Sequence, residues 1–405
     1  MVLLYPITSK LKKEFMVVKT YDIVIVGLGA AGSAALYQAS KRGAKVLGID
    51  QFHMAHPYGS SHGESRITRL AIGEDWNLTP FAMRSHEIWR EHEERFEMYG
   101  QLLLQTGGLI IGETGAGTAF HGNSDFLGTT IQAASLYKIR HEILGSEEIR
   151  RRFPVLMVKA DAKGYYEYDA GILFPEKCVR ANLLTAQRLG AKIVLNCKVL
   201  DMEFSANSVT LATNLGFISA GKVIISAGAW VSTFLPASQR DYFKPTRQTV
   251  HYFKPRTSES PFLVNGFPVF IWTDEGIYGF PNFGKGHVRI AQGSYNQVCN
   301  PDNVDREISR KEIREINETI SRLIPALRGG YTGGDTCIYT VTPDEGFVID
   351  DHPDSENVLL VSACSGHGFK HSAAIGELAS QIVLNEPHRY DMSKFSLSRS
   401  KKPAQ

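Results

Sequence analysis

The chain has 405 residues, 43% of them hydrophobic and 21% charged. That is the balance of an ordinary globular enzyme, and the length is too great for one small core, so two packed domains or one large α/β domain with insertions are expected. A formal net charge of +2 is too mild to argue for nucleic acid or an anionic membrane as a partner.

The opening residues 1–15 carry a tiny apolar stretch ahead of Lys12 and Lys13, the wrong order for a secretory signal. Met16 directly precedes the first strand-like run, so an ill-ordered extension or alternative start is expected there. From Asp22 the chain reads Ile-Val-Ile-Val to Val26, a β-branched run of the kind buried on both faces of a sheet. Gly27, Gly29 and Gly32 follow in G-x-G-x-x-G spacing. Residues 30–42 then read as an alanine-rich helix ended by Gly43, and Lys45–Ile49 as a second strand closing at Asp50. A lone glycine motif is weak. Set in a strand-turn-helix-strand unit with an acid after the second strand, it marks a dinucleotide site. Gly27 permits the turn, Gly29 lets backbone approach a pyrophosphate and Gly32 lets helix pack on strand. The helix N-terminus offers free N–H groups to the phosphates. Asp50 suits ribose hydroxyls, which favours FAD or NAD over NADP.

Further along, Arg66 and Arg69 stand three apart near His62. A helix there would place both arginines on one face, and two cations so placed call for an anion between or beside them. The five cysteines, at 178, 197, 299, 337 and 364, are odd in number with no Cys-x-x-Cys pair. This speaks against a disulfide framework and a zinc site, and for a reducing, cytoplasmic compartment. A hairpin-like stretch over 208–219 leads into Lys222–Trp230, a strand ending in small residues, as in two-part FAD-binding domains. His251–Lys254 and Pro268–Trp272 have the aromatic alternation of a sheet with one covered face. His287, Arg289 and Ala291 alternate as on a strand. Asn357–Ala363 is another strand, running into Cys364-Ser-Gly-His-Gly-Phe-Lys370 and a helix over about 372–384. That second glycine-rich turn could present its helix N-terminus to an electron-rich flavin. No apolar run approaches the roughly 20 residues that span a bilayer.

Four motifs carry a resemblance across about residues 20–397. They are Gly59-Ser-Ser-His-Gly-Glu-Ser-Arg-Ile-Thr-Arg69, Tyr278-Gly-Phe-Pro281, Cys337-Ile-Tyr-Thr with Pro343-Asp-Glu following, and Ser365-Gly-His-Gly-Phe-Lys370. With these the chain resembles the monomeric sarcosine oxidase and N-methyltryptophan oxidase family, within the glycine oxidase and D-amino-acid oxidase group. The resemblance implies FAD, often covalently bound to cysteine, and oxidation of a secondary-amine amino acid to an imine, with molecular oxygen as acceptor. It implies Cys337 as the flavin-linking thiol, with Cys364 the lesser candidate. It also implies Arg69 and Lys370 on the substrate carboxylate, Tyr278 over the substrate, and Arg66 and His62 beside the flavin ring. FAD contacts are expected from Gly27, Gly29, Ala30, Ala31 and Gly32 in the first turn, and from Asp50, Gln51, Ser61 and Arg66 after it. Val199, Gly228 and Trp230 are expected to follow from the middle of the chain, and Cys337, Gly366, Gly368, Phe369 and Lys370 from its end. One departure concerns a family lysine linked to oxygen activation: counting from Gly-Phe-Pro, Arg289 stands there, and Gly293 stands at a family histidine. A guanidinium keeps the charge but not the geometry of an ammonium.

The expected fold is α/β, a Rossmann-like, glutathione-reductase-like FAD-binding domain with an inserted α+β substrate domain on a mixed sheet. Its parts are an extension over 1–19, FAD-binding segments over 20–108, 171–238 and 331–390, substrate-domain segments over 109–170 and 239–330, and a tail over 391–405. The expected activity is FAD-dependent oxidation of an N-methyl or cyclic amino acid to the imine with release of hydrogen peroxide. The alternatives are a flavin dehydrogenase using a non-oxygen acceptor and a flavin- or nucleotide-binding protein without turnover. A small amino acid and oxygen are the expected partners. No metal is expected, and a monomer is favoured over an oligomer.

Overall fold

A computed structural model describes residues 19–96, 100–112, 120–256, 258–293 and 297–399. The expected extension over residues 1–15 lies outside them.

The strand Lys19–Val26 is buried over its last four residues, as its β-branched run requires. It sits mid-sheet, parallel to Val46–Ile49 on one side and to Gly216–Ile225 on the other. Lys192–Val194 extends the first edge, and Ser355–Ser362 pairs parallel with Gly216–Ile225. Val199–Ser205 and Ser208–Thr213 continue the eight-stranded sheet as an antiparallel meander, and Val348–His352 pairs with Ser355–Ser362.

The helices Ala30–Lys41, Pro175–Arg188 and Ser372–Val383 share an apolar core with this sheet. Alanine and glycine dominate the first because backbones approach closely there. A Cβ on Gly376 would lie 2.4 Å from the Cβ of Ala34, and one on Gly32 would lie 1.9 Å from the Gly27 carbonyl oxygen.

A second, nine-stranded sheet is assembled from distant segments in the order Gln297–Val298, Lys244–Phe253, Val288–Gln292, Ile277–Phe280, Val269–Trp272, Gly108–Gly112, Lys163–Glu167 and His141–Gly145. Tyr331–Val341 is added on Lys244–Phe253. One face packs on the helix Arg310–Leu323 through Ile316, Ile320 and Leu323. Val269 and Phe280 of this sheet pack against Ile172 of a three-stranded sheet formed by Arg66–Thr68, Gly171–Leu173 and Leu103–Gln105.

One expectation changes. Arg66–Thr68 is a strand, not a helix, so the argument that a helical face aligns Arg66 with Arg69 falls away. Tyr331–Val341, counted with the FAD-binding segment, runs along the whole of Lys244–Phe253. The C-terminal segment is docked as far as it is described: Phe395 is buried against Phe81, and Arg399 pairs with Asp344 at 2.6 Å.

Gly376→Val should therefore overpack the junction of two helices and lower stability by about 1–3 kcal/mol. Gly266→Ala, whose Cβ would meet nothing nearer than 4.0 Å, should be close to neutral. Denaturant unfolding of both variants checks this.

Candidate active site

Two cavities meet where the sheets face each other. The larger, about 630 Å³, opens at the ends of the parallel strands and is lined by Gly27, Gly29, Ala30 and Ala31, then Asp50, Gln51 and Ser61. Val199, Gly228 and Trp230 line its far part, and Gly366, Gly368 and Phe369 the near part. Gly27 has φ +88°, and its Cβ would lie 2.6 Å from the Ser226 carbonyl oxygen, so only glycine fits. Gly29 caps the helix without a side chain, leaving N–H groups facing the cavity, and Ser61 Oγ accepts from Ala30 N at 3.0 Å. Asp50 Oδ2 accepts from Leu28 N at 2.8 Å and Oδ1 from Phe52 N at 2.9 Å. This fixes the carboxylate and leaves lone pairs for hydroxyl donors. Gly32 stands behind the turn and packs on Gly27.

The smaller cavity, about 70 Å³, is lined by Cys337, Lys370, Arg69, Tyr278 and Arg289 among others. Cys337 and Lys370 thus belong to this side rather than to the larger crevice. Arg66, Tyr339, Gly366 and Phe369 line both cavities and mark their junction. Arg66 is held there by donating to the carbonyl oxygens of Ser65 at 2.7 Å and Ser60 at 2.6 Å. The two cavities together have the shape a flavin dinucleotide needs: free helix N–H groups for the pyrophosphate, an acid for ribose, and a cation-lined end for the ring.

Arg69 and Lys370 are brought together by a residue the sequence reading missed. Glu74, whose side chain is buried, pairs with the Arg69 guanidinium and accepts from Lys370 Nζ at 2.9 Å. Burial alone would raise its carboxyl; Arg69 and Lys370 outweigh that and hold it well below the usual range. Lys370 is pushed down to about 8 by burial, opposed by Glu74. The anion called for by paired arginines therefore serves Arg69 and Lys370, not Arg66. Arg69 is steadied from behind. Glu167, also missed, is buried and accepts from Leu70 N at 2.6 Å, Ala71 N at 3.1 Å and the Tyr165 hydroxyl at 2.9 Å.

Tyr278 lies hydroxyl to hydroxyl with Tyr339 at 2.9 Å, both phenols raised by burial. Tyr339 had a signal in the sequence: on the strand Tyr331–Val341 it stands two residues from Cys337 and so shares its face. The Cys337 thiol is pushed up by burial, against the pull of Arg66 and Arg289.

Arg289 is buried, donates to the Gly63 carbonyl and to Ser65 Oγ at 2.7 Å, and has no carboxylate at ion-pair distance among the described residues. Lys285 is not in the cavity; it pairs with Glu64 at 2.9 Å. His62 lines neither cavity. Burial and then Arg66 push its imidazole down to about 3, so it stands neutral beside Arg66 and adds no charge.

A model of the family DAO, FAD dependent oxidoreductase, matches residues 22–382. The chain belongs to this family. It is 36% identical over 387 residues to the monomeric sarcosine oxidase of Arthrobacter sp. (strain TE1826), covering 94% of this chain and 97% of that protein. It is 33% identical over 390 residues to the N-methyl-L-tryptophan oxidase of Yersinia pestis (strain Pestoides F), covering 94% and 99%. Among solved structures it resembles NikD, described as an unusual amino acid oxidase essential for nikkomycin biosynthesis, with a TM-score of 0.79 at 21% identity over 93% of this chain and 97% of NikD. The L-proline dehydrogenase of P. horikoshii gives 0.78 at 20% identity over 95% and 98%. These two support the fold. The chain is thus an FAD-dependent oxidoreductase of the sarcosine oxidase-like kind. No helix among its described residues is long and apolar enough to cross a membrane.

The Lys370 ammonium is charged below about pH 8 and neutral above it. The affinity of the FAD-loaded flavoprotein for an unreactive carboxylic acid should therefore be flat at lower pH and fall as pH rises through that value. Glu74→Gln removes the group that opposes burial and should move the break to lower pH. Flavin absorbance titrations at a series of pH values read both.

Proposed function

We propose that the flavoprotein oxidises the C–N bond of a secondary-amine amino acid, an N-methyl or cyclic one, to an imine, with oxygen as acceptor and hydrogen peroxide as product. The observation that carries this reading is the buried Arg69–Glu74–Lys370 cluster beside the junction with the FAD crevice. A substrate carboxylate takes up a guanidinium fork and an ammonium in such a place. The relatives named as sarcosine oxidase and N-methyl-L-tryptophan oxidase support the substrate class.

FAD, when bound, supplies the acceptor for a hydride equivalent from the carbon next to nitrogen. The chain's residues do the rest. Arg69 and Lys370 orient the substrate through its carboxylate. Arg66, Arg289, Arg69 and Lys370 line the small cavity and disfavour an ammonium there, so the amine reacts in its neutral form. Among the described residues that line the small cavity, none is poised to take its proton: His121 and His367 are pushed down to about 4 and 3 by burial, and Glu74 is held anionic by two cations. Tyr278 and Tyr339 close one wall by their shared hydrogen bond. Cys337, buried between the pull of two arginines, is the thiol we assign to covalent flavin attachment. The five free thiols are in keeping with a cytoplasmic enzyme, for which we take a monomer as the working form.

Arg289 favours a second reading, a dehydrogenase passing electrons to an acceptor other than oxygen. Its charge is fixed and spread over a fork tied to Gly63 and Ser65.

Arg69→Ala and Lys370→Ala should each raise KM for an N-methyl amino acid by about tenfold or more, the loss of a charged hydrogen bond; unchanged KM values would remove the carboxylate assignment. After acid precipitation, flavin should stay with the pellet in the wild type and pass to the supernatant in Cys337→Ser. Turnover faster with an artificial acceptor than in air would select the dehydrogenase.

A further inference from the structure

The small cavity is roofed by a turn that neither the motifs nor the family match singled out. Phe120 and Asn123 exchange two backbone hydrogen bonds, N to O at 3.0 and 3.2 Å. The two residues between them, His121 at φ +46° and Gly122 at φ +71°, both take positive φ, the requirement of a type I′ turn. Histidine takes that conformation more readily than most residues with a side chain, and its surroundings fix where the ring goes. Those surroundings are the cavity. His121 Cε1 lies 2.8 Å from where a Cβ on Gly366 would be, and its ring is 5.6 Å from that of His367. Phe120 packs edge-on against Phe126 at 5.1 Å, and its ring lies 3.4 Å from where a Cβ on Gly293 would be. Phenylalanine from one segment thus fills the space that glycine leaves on another. Asn123 ties the turn to the Arg69–Glu74–Lys370 cluster, donating from Nδ2 to the Gly73 carbonyl at 2.7 Å.

We propose that this turn selects the substrate: the Phe120 and His121 rings restrict the Cα substituent to hydrogen or methyl. The inference rests on the reading above, in which Arg69 and Lys370 take the carboxylate. Phe120 and His121 line the same small cavity as Glu74, Arg69 and Lys370, and Asn123 reaches the Gly73 carbonyl beside Glu74, so the turn stands at the carboxylate end. The Cα atom is one bond from that carboxylate, and a large group on it meets the two rings. The cavity, about 70 Å³, is small beside the roughly 300–1,000 Å³ of typical ligand pockets. The turn therefore favours a sarcosine-sized amino acid over one carrying an aromatic side chain.

The test compares sarcosine with N-methyl-L-phenylalanine as substrates of the FAD-loaded protein, and propanoate with 3-phenylpropanoate as unreactive ligands read by flavin absorbance. The wild type should prefer sarcosine and bind propanoate but not 3-phenylpropanoate. Phe120→Ala should narrow the kcat/KM ratio between the two substrates by about tenfold or more, the scale of a few methylenes in a pocket. It should also admit 3-phenylpropanoate. His121→Gly, which keeps the turn because glycine takes positive φ freely, should act in the same direction and guards against a folding failure of the first variant. The proposal is overturned if the wild type takes both substrates equally. It is equally overturned if either variant, with wild-type melting and flavin spectrum, leaves both ratios unchanged. Failure of sarcosine to bleach the flavin and of propanoate to perturb it would instead bring down the carboxylate reading, and this inference with it.

Discussion

A carboxylate held between two cations out of reach of water is the constraint around which this site is arranged. Removing three charges from solvent is tolerable only if each finds its partner, and losing one member of such a set costs about 3–5 kcal/mol. Glu74 reaches Lys370 across 296 positions of sequence. The bond therefore joins the loop after Arg66–Thr68 to the glycine-rich turn before Ser372–Val383. The buried Glu167 then fixes the backbone just after Arg69 from the opposite sheet. Both sheets are thereby committed to one arrangement of the small cavity.

The surplus of positive charge follows from the same geometry. With Glu74 already shared by two cations, Arg66 and Arg289 have carbonyls and a hydroxyl as their partners rather than carboxylates. A site of this kind welcomes electron density wherever it develops, on a bound acid or on a reduced cofactor ring. It also explains the neutral histidines, since burial and neighbouring cations both penalise a further positive charge.

What could be read in the sequence was what is encoded locally. The glycine turn, Asp50 and the Cys337 and Lys370 motifs each announce themselves within a dozen residues, and the structure brings them to adjoining cavities. Tyr339 was legible by strand alternation from Cys337 and went unread. Glu74 and Glu167 could not be recognised in this way: a single acid in a loop or on a strand carries no periodic signal, and its partners are set by the tertiary fold. The same limit hides the partner of Tyr331–Val341, because a strand's pattern shows that one face is covered but not which sheet covers it. Whether Arg66 stands on a helix could not be read either, because three-residue spacing alone does not distinguish a helix from a strand running into a loop.

The close contact of Gly376 with Ala34 has a mechanical consequence. One of these helices begins at the dinucleotide turn, and the other begins two residues after Lys370. With only the Ala34 methyl between them, the two slide past each other only by breaking a packed junction. The glycine turn that lines the larger cavity and the turn that carries Lys370 are thus tied together by one packed junction. An opening that leaves this junction intact has to come from the covering sheet and its turns, so mutations that alter the rate of entry should map there.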